Sequence, residues 1–413
     1  MTAPGGSGQP EAGAPAGRNH APFFGVLLGL LVGAAAVWAL LQFGELNDKR
    51  TNFVFRPLLA GLLSLAALWC VVYGLWRGPL GWKLGLPLLL VVYLGIERFT
   101  PPAFSRVYGL KTWIALQDPD HRPQHTDKKK GWNSDSLRCP HQPGEFRAKD
   151  TNVVFLGDSF TFGMLLEPEE TFPALVERRL QNRFPERDLK VANFGWVSSS
   201  PLLSLRRLEE IGDKYSPDLV VLCLDMTDIR DDIRWEAMLE ERGAYRLVQH
   251  FPLTMKTLKK FVRPAFDAIF ARLNPDLPQR RFFMTEAPLE ETRDSFAKVE
   301  HNIGRIHAWC EERGLPFVLV VLPRSFQYSD RECPNNWEVG EYVPLGPYVL
   351  EPFRYFEEMA GRVDYPVHSL LETFQQTEVF PTCFDHDPHW NPDGAEIAAK
   401  AITRLLVPEV RSL

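Results

Sequence analysis

Residues 152–159 read NVVFLGDS, an apolar run from Val153 to Leu156 that stops at Gly157 and leads into Asp158 and Ser159. A short continuous apolar run closed by glycine is the pattern of a strand buried on both faces. The pattern recurs at 219–224 (LVVLCL) and 317–322 (FVLVVL), with a shorter strand over 189–193. Between these runs the period changes. Phe172, Leu175, Val176 and Leu180 fall on one helical face, and helices are also predicted over 202–211, 295–312 and 392–406. Near-continuous apolar strands alternating with helices predict an α/β domain built on a parallel sheet covered on both faces. Ligands in such sheets bind outside the carboxyl ends of the strands, which is where Gly157-Asp158-Ser159 lies.

A second polar cluster, Asp387-Pro388-His389-Trp390-Asn391, stands just before the last helix. Asn391 is suited to cap that helix and Pro392 to open it, so His389 is placed in a loop fixed by a capped helix. Serine hydrolysis needs a base for the hydroxyl and an orienter for the base. Asp387 can hold one imidazole nitrogen while the other faces Ser159. Two rival readings attach to these residues. They can be plain polar residues at a turn and a helix start, or Asp385, His386, Asp387 and His389 can bind a metal. The second is weakened by the lack of further Cys or His nearby and by the usual preference of metal sites for ligands from separated elements.

Four blocks taken together resemble the SGNH/GDSL hydrolase family. They are Val154–Gly163 (VFLGDSFTFG), Val191–Pro201 (VANFGWVSSSP), Tyr215–Asp232 (YSPDLVVLCLDMTDIRDD) and Asp387–Gly394, with Asn133–Arg138 resembling the family's lead-in. The likeness spans residues 131–406. It implies a flavodoxin-like sheet and a triad with Ser159 as nucleophile, His389 as base and Asp387 as orienter. The family's Asp often stands three residues before its His, where this chain has His386; Asp387 fits the Asp-x-His-Trp-Asn variant, and Asp385 is a reserve. The implied oxyanion hole takes the Ser159 backbone, Ser198 at the family's glycine and Thr227 at its asparagine. A backbone donor survives at Ser198 if the turn forms, whereas the Thr227 hydroxyl reaches less far than an amide. The resemblance implies a serine esterase or acylhydrolase acting on O-acyl groups, O-acetyl above all, of a cell-surface polysaccharide. An O-acyltransferase, a non-catalytic domain binding a glycan or partner protein, and a lipid-directed hydrolase are the alternatives.

The 413-residue chain is 45% hydrophobic with a net charge of −6, which gives no basic patch for nucleic acid. Residues 1–20 are rich in Gly, Pro and Ala and read as a disordered tail. Residues 21–43 and 57–76 carry no charge and are long enough to span a bilayer; 79–96 is a third span interrupted by Lys83. Residues 21–97 are therefore expected to form a membrane anchor of two or three helices in the lipid bilayer, 98–130 a linker and 131–413 the hydrolase domain. Lys and Arg are split evenly between the two sides and do not set the orientation. Three spans with a cytosolic N-terminus would place the domain outside the cytosol. No Cys-x-x-Cys occurs among the six cysteines, and neither metal nor cofactor is expected. Cys70 and Cys223 read as core residues, and one disulfide among Cys139, Cys333 and Cys383 fits an extracytoplasmic domain. Trp113, Trp132, Trp196 and Trp337 read as core or sugar-stacking residues, with core favoured.

Overall fold

A computed structural model describes residues 131–240 and 280–413, with Leu94, Thr254 and Pro278 besides. The expected anchor, linker and tail, with Cys70 and Trp113, lie outside the described residues. Among the described residues no helix is long and apolar enough to cross a membrane.

The elements follow in the order β1 (Thr151–Gly157), α1 (Ser159–Phe162), α2 (Phe172–Arg183), β2 (Leu189–Asn193), α3 (Pro201–Ile211), β3 (Leu219–Leu224), α4 (Met226–Glu240), α5 (Leu289–Glu311), β4 (Phe317–Val321), α6 (Ser325–Tyr328), α7 (Glu351–Ala360), β5 (Val367–Ser369), α8 (Leu371–Gln375), β6 (Cys383–Phe384), β7 (Asp387–Trp390) and α9 (Pro392–Ser412). Strands β1 to β5 form one parallel sheet in the order β2-β1-β3-β4-β5. That is the flavodoxin-like order, and it places a topological switch point between β1 and β3.

Alternation along the strands divides the core in two. Val154, Leu156, Val220, Leu222, Leu319 and Val321 pack with residues of α3, α4, α5 and α7. Val153, Phe155, Val221, Cys223, Val318 and Val320 pack with α2, α8 and α9. Both faces of the central strands are thus dry, which is why their sequences show no polar alternation.

Several boundaries differ from those expected. Helix α5 starts at Leu289, with Glu290 and Glu291 in its first turn, where acidic side chains favour the positive end of the helix dipole. Helix α9 continues to Ser412 with Pro408 inside it. Strand β5, Val-His-Ser, lies at the sheet edge and is not fully buried, so it carries no apolar run to read. All five described cysteines are buried free thiols, so no disulfide joins Cys139, Cys333 and Cys383. Cys139 donates to the Val191 carbonyl, while the Cys333 and Cys383 thiols share a hydrogen bond.

Candidate active site

Ser159 follows β1 directly and opens the four-residue helix α1. Gly157 makes this turn at φ +152°, and a Cβ there would stand 2.2 Å from Thr161 Oγ1 and 2.7 Å from the Cys223 carbonyl. Only glycine fits so close to the neighbouring strand. Asp158 caps the helix by accepting the Phe160 N–H at 2.8 Å. The backbone N–H of Ser159 heads the first turn, where no intrahelical acceptor exists. Arg138, from the lead-in segment, donates to the carbonyls of Phe162, Gly163 and Leu166 and so clamps the loop that follows α1.

His389 comes from the far end of the chain. The sequence places it in a loop, but it lies on β7, which pairs antiparallel with β6 through Cys383↔Trp390 and Phe384↔Asp387. The hairpin is too short and polar to show a strand pattern, and Pro388 removes a donor from it. Asn391 caps α9 as expected, accepting the Gly394 N–H at 3.0 Å. The Phe160 ring packs against the imidazole with centroids 5.0 Å apart and against Trp390 at 4.9 Å.

These elements bring Ser159, His389 and Asp387 together. His389 Nε2 lies 2.8 Å from Ser159 Oγ. Its Nδ1 bonds to Asp387 Oδ1, which also accepts the His389 backbone N–H at 3.1 Å. The second oxygen, Asp387 Oδ2, accepts the indole N–H of Trp337 at 3.2 Å. Burial alone would raise the Asp387 pKa, but the bonds from His389 and Trp337 hold it below the usual carboxylate value. Ser159 and His389 are each 7% exposed, so the pair is shielded from water yet reachable. His386 is instead on the surface, ion-paired with Asp385 at 2.9 Å, and neither approaches Ser159 through a hydrogen bond.

The expected oxyanion residues divide. Ser198 takes φ +56°, the left-handed conformation that glycine adopts freely, so the turn forms without glycine. The Trp235 indole N–H holds the Ser198 carbonyl at 3.0 Å. Gly195 lies close by, and a Cβ on it would stand 2.4 Å from the Phe162 backbone nitrogen. Thr227 does not present its proton to the site as expected. Its hydroxyl donates to Asp225 Oδ2 at 2.5 Å and accepts from Arg324 Nη2 at 3.2 Å. A hydroxyl has one proton, and here Asp225 takes it.

Arg324 was not legible as a site residue. It follows the carboxyl end of β4, which is the signal that could have found it. It is 1% exposed. Its guanidinium bonds Asp225 through Nε and Nη2, both at 2.7 Å, and Glu338 through Nη1 at 2.6 Å. Burial would raise the Asp225 pKa, but Arg324 drives it down to about 2. Asp158 has no such partner. Burial and the Asp225 charge push it up to about 7, against the pull of Arg324. Asp228 is likewise raised by burial and by Asp158. Ser159 Oγ is also 3.0 Å from Asp158 Oδ2, so its proton has two acceptors within reach, this carboxylate and His389.

As for metals, His307, Glu311 and Asp364 bring ligand atoms within 4.8 Å of one another, away from this site. However, opposite ring nitrogens of His307 face the two carboxylates, each at 3.8 Å. One ion cannot take both. Of the tryptophans, Trp196 is in the core, whereas Trp337 is exposed.

Residues 155–340 match the GDSL-like lipase/acylhydrolase family. No curated protein matches the chain by sequence. Among solved structures, a catalytic mutant of an acetylxylan esterase from Geobacillus stearothermophilus is 14% identical, covering 63% of this chain and 96% of that one at a TM-score of 0.35. A lipase/acylhydrolase from Enterococcus faecalis is 14% identical over 63% and 96% of the two chains at 0.36. A two-domain esterase active on acetylated mannans is 17% identical over 65% of this chain and 52% of that one, at 0.34. The family match ends before β6 and β7, and it is the folded chain that brings Asp387 and His389 onto Ser159. The domain that carries these residues is similar to the GDSL-like lipase/acylhydrolase family over residues 155–340, and it is an ester-hydrolysing enzyme.

Proposed function

We propose that this protein is a serine esterase for short O-acyl esters, with Ser159 as nucleophile, His389 as general base and Asp387 as orienter. The observation that carries the reading is the single chain of contacts Asp387–His389–Ser159, with Nε2 at 2.8 Å from the hydroxyl. In this reading His389 takes the Ser159 proton as Oγ attacks the ester carbonyl, and returns it to the departing alcohol. Asp387 keeps the Nδ1 tautomer and faces the imidazolium that forms. Water then enters by the same route and frees the acid. The Ser159 and Ser198 backbone N–H groups are the proposed donors to the oxyanion. Without Thr227, the side-chain donor is missing, a loss worth roughly a hundredfold to a thousandfold in rate where it has been removed elsewhere.

A short acyl group is favoured by the space beside His389. The cavity there, enclosed by Phe160, Leu166, Phe172, Trp390 and Ala395 among others, measures only about 10 Å³. That is roughly one water-sized sphere, with no room on that side for a long acyl chain. We further propose that the uncharged runs 21–43 and 57–76 tether the enzyme to the membrane with its domain outside the cytosol, where the O-acetyl groups of a cell-surface polysaccharide would be the substrate.

The test is turnover of 4-nitrophenyl acetate by the full-length protein and by Ser159→Ala, beside esters of longer acids. Turnover that falls with acyl length and vanishes in Ser159→Ala supports the reading. Equal turnover by both proteins refutes it.

A further inference from the structure

Trp337 departs from its kind. Of the six described tryptophans it alone is exposed, at 58%, while Trp196, Trp235, Trp309 and Trp390 lie in the core. Exposed indoles usually gain little and swing freely, but this one is held at two points. Its N–H donates to Asp387 Oδ2 at 3.2 Å. The Arg281 guanidinium stacks on the ring with its carbon 4.9 Å from the centroid, and Arg281 Nε is itself 3.1 Å from Glu338 Oε1. A ring covered on one face by a cation and still 58% exposed must present its other face to solvent. That face stands one hydrogen bond from the proposed orienter. The surface ion pair of Asp385 and His386 directly precedes Asp387 in the chain.

A fixed, exposed aromatic face beside the proposed orienter is complementary to the apolar C–H face of a pyranose. The cavity next to His389, about 10 Å³, has no room for a lipid tail on that side.

We propose that Trp337 is the platform on which the alcohol portion of the ester, a pyranose sugar, stacks as its acyl group enters the site. The proposal rests on the serine-esterase reading and names its substrate class. Since Trp337 also braces Asp387, the test must separate binding from positioning.

The experiment measures kcat and KM of the full-length protein on 4-nitrophenyl acetate and on cellobiose octaacetate, for wild type, Trp337→Phe and Trp337→Ala. The aryl ester reports the triad, and the ratio of the two kcat/KM values reports the platform. Trp337→Phe keeps a ring and loses the N–H, so both substrates should slow together and the ratio should stay within about threefold. Trp337→Ala should lower the ratio roughly tenfold or more, expressed in KM for the sugar ester, as expected for a lost ring contact. An alanine variant that slows both substrates equally, or neither, overturns the proposal and leaves Trp337 as a brace for Asp387 or a bystander. Wild-type turnover of the aryl ester without the sugar ester overturns it as well. Failure of wild type on both substrates overturns the serine-esterase reading itself.

Discussion

Replacing Arg324 by methionine is the most demanding test of the buried network beneath the site. Methionine keeps the aliphatic stem and removes the guanidinium. Four hydrogen bonds go with it: two to Asp225, one to Glu338 and one to Thr227. Glu338 keeps Arg281 at 3.1 Å, and Asp225 keeps the Thr227 N–H and hydroxyl. Asp225 nevertheless becomes a fully buried carboxylate without a counter-ion. Breaking a buried pair from one side costs about 3–5 kcal/mol, which in a domain of this size lowers the thermal midpoint by roughly 6–20 °C. The loss must also depend on pH. In the wild type the Asp225 pKa is held at about 2, below its unfolded value, so its stabilisation is present at neutral pH and fades only as pH falls through that region. In Arg324→Met burial is opposed only by the two Thr227 bonds and carries the folded pKa above the unfolded value of about 3.9. The penalty therefore grows as pH rises from about 4. Urea unfolding followed by tryptophan fluorescence at pH 5 and pH 7.5 measures it. Adding Asp225→Asn should recover part of the loss. A cost under about 1 kcal/mol at neutral pH, or one equal at both pH values, would refute the reasoning.

Asp387→Asn should cut kcat by roughly 10⁴-fold with little change in KM, because the amide no longer fixes the imidazole tautomer; steady-state kinetics on an aryl acetate read this out. Asp158 has a folded pKa raised to about 7 by burial and by Asp225. Its contribution to stability is therefore full below its unfolded value of about 4 and is lost as pH rises through its folded value, so Asp158→Asn should flatten the fall in urea midpoint across that window. Ser198 sits at φ +56°, a conformation costing a non-glycine residue about 1–2 kcal/mol. Ser198→Gly removes that cost but adds about 0.4–1 kcal/mol of unfolded-chain freedom. It should keep activity and melt at or slightly above the wild-type temperature, whereas Ser198→Val should melt lower.

The strands were readable because both faces of the sheet are dry. Val153–Leu156, Val220–Leu224 and Val318–Val321 carry the apolar runs that such burial demands. The place of Ser159 follows from the run that forms β1, and that of His389 from the helix that Asn391 caps. What escaped notice depends on long-range pairing. Strand β7 exists because Asp387 faces Phe384 across a two-residue turn, a partnership with no local period. Arg324 lies 99 residues from Asp225, and only the alignment of β3 beside β4 brings the pair into contact. The engagement of Thr227 by Asp225 follows from that ion pair, which is why a threonine at that position read as a donor. For Trp337 the sequence favours the core over sugar stacking, because most tryptophans are buried. Its exposure is set by Arg281 and Asp387, neither of which is its neighbour in sequence.

The central claim, that His389 activates Ser159, is tested most directly by labelling the full-length protein with a fluorophosphonate and mapping the adduct by mass spectrometry. The account predicts one adduct per chain, on the peptide containing Ser159, and its loss in His389→Ala. A folded wild-type protein that takes no label, or takes it on another residue, would contradict it.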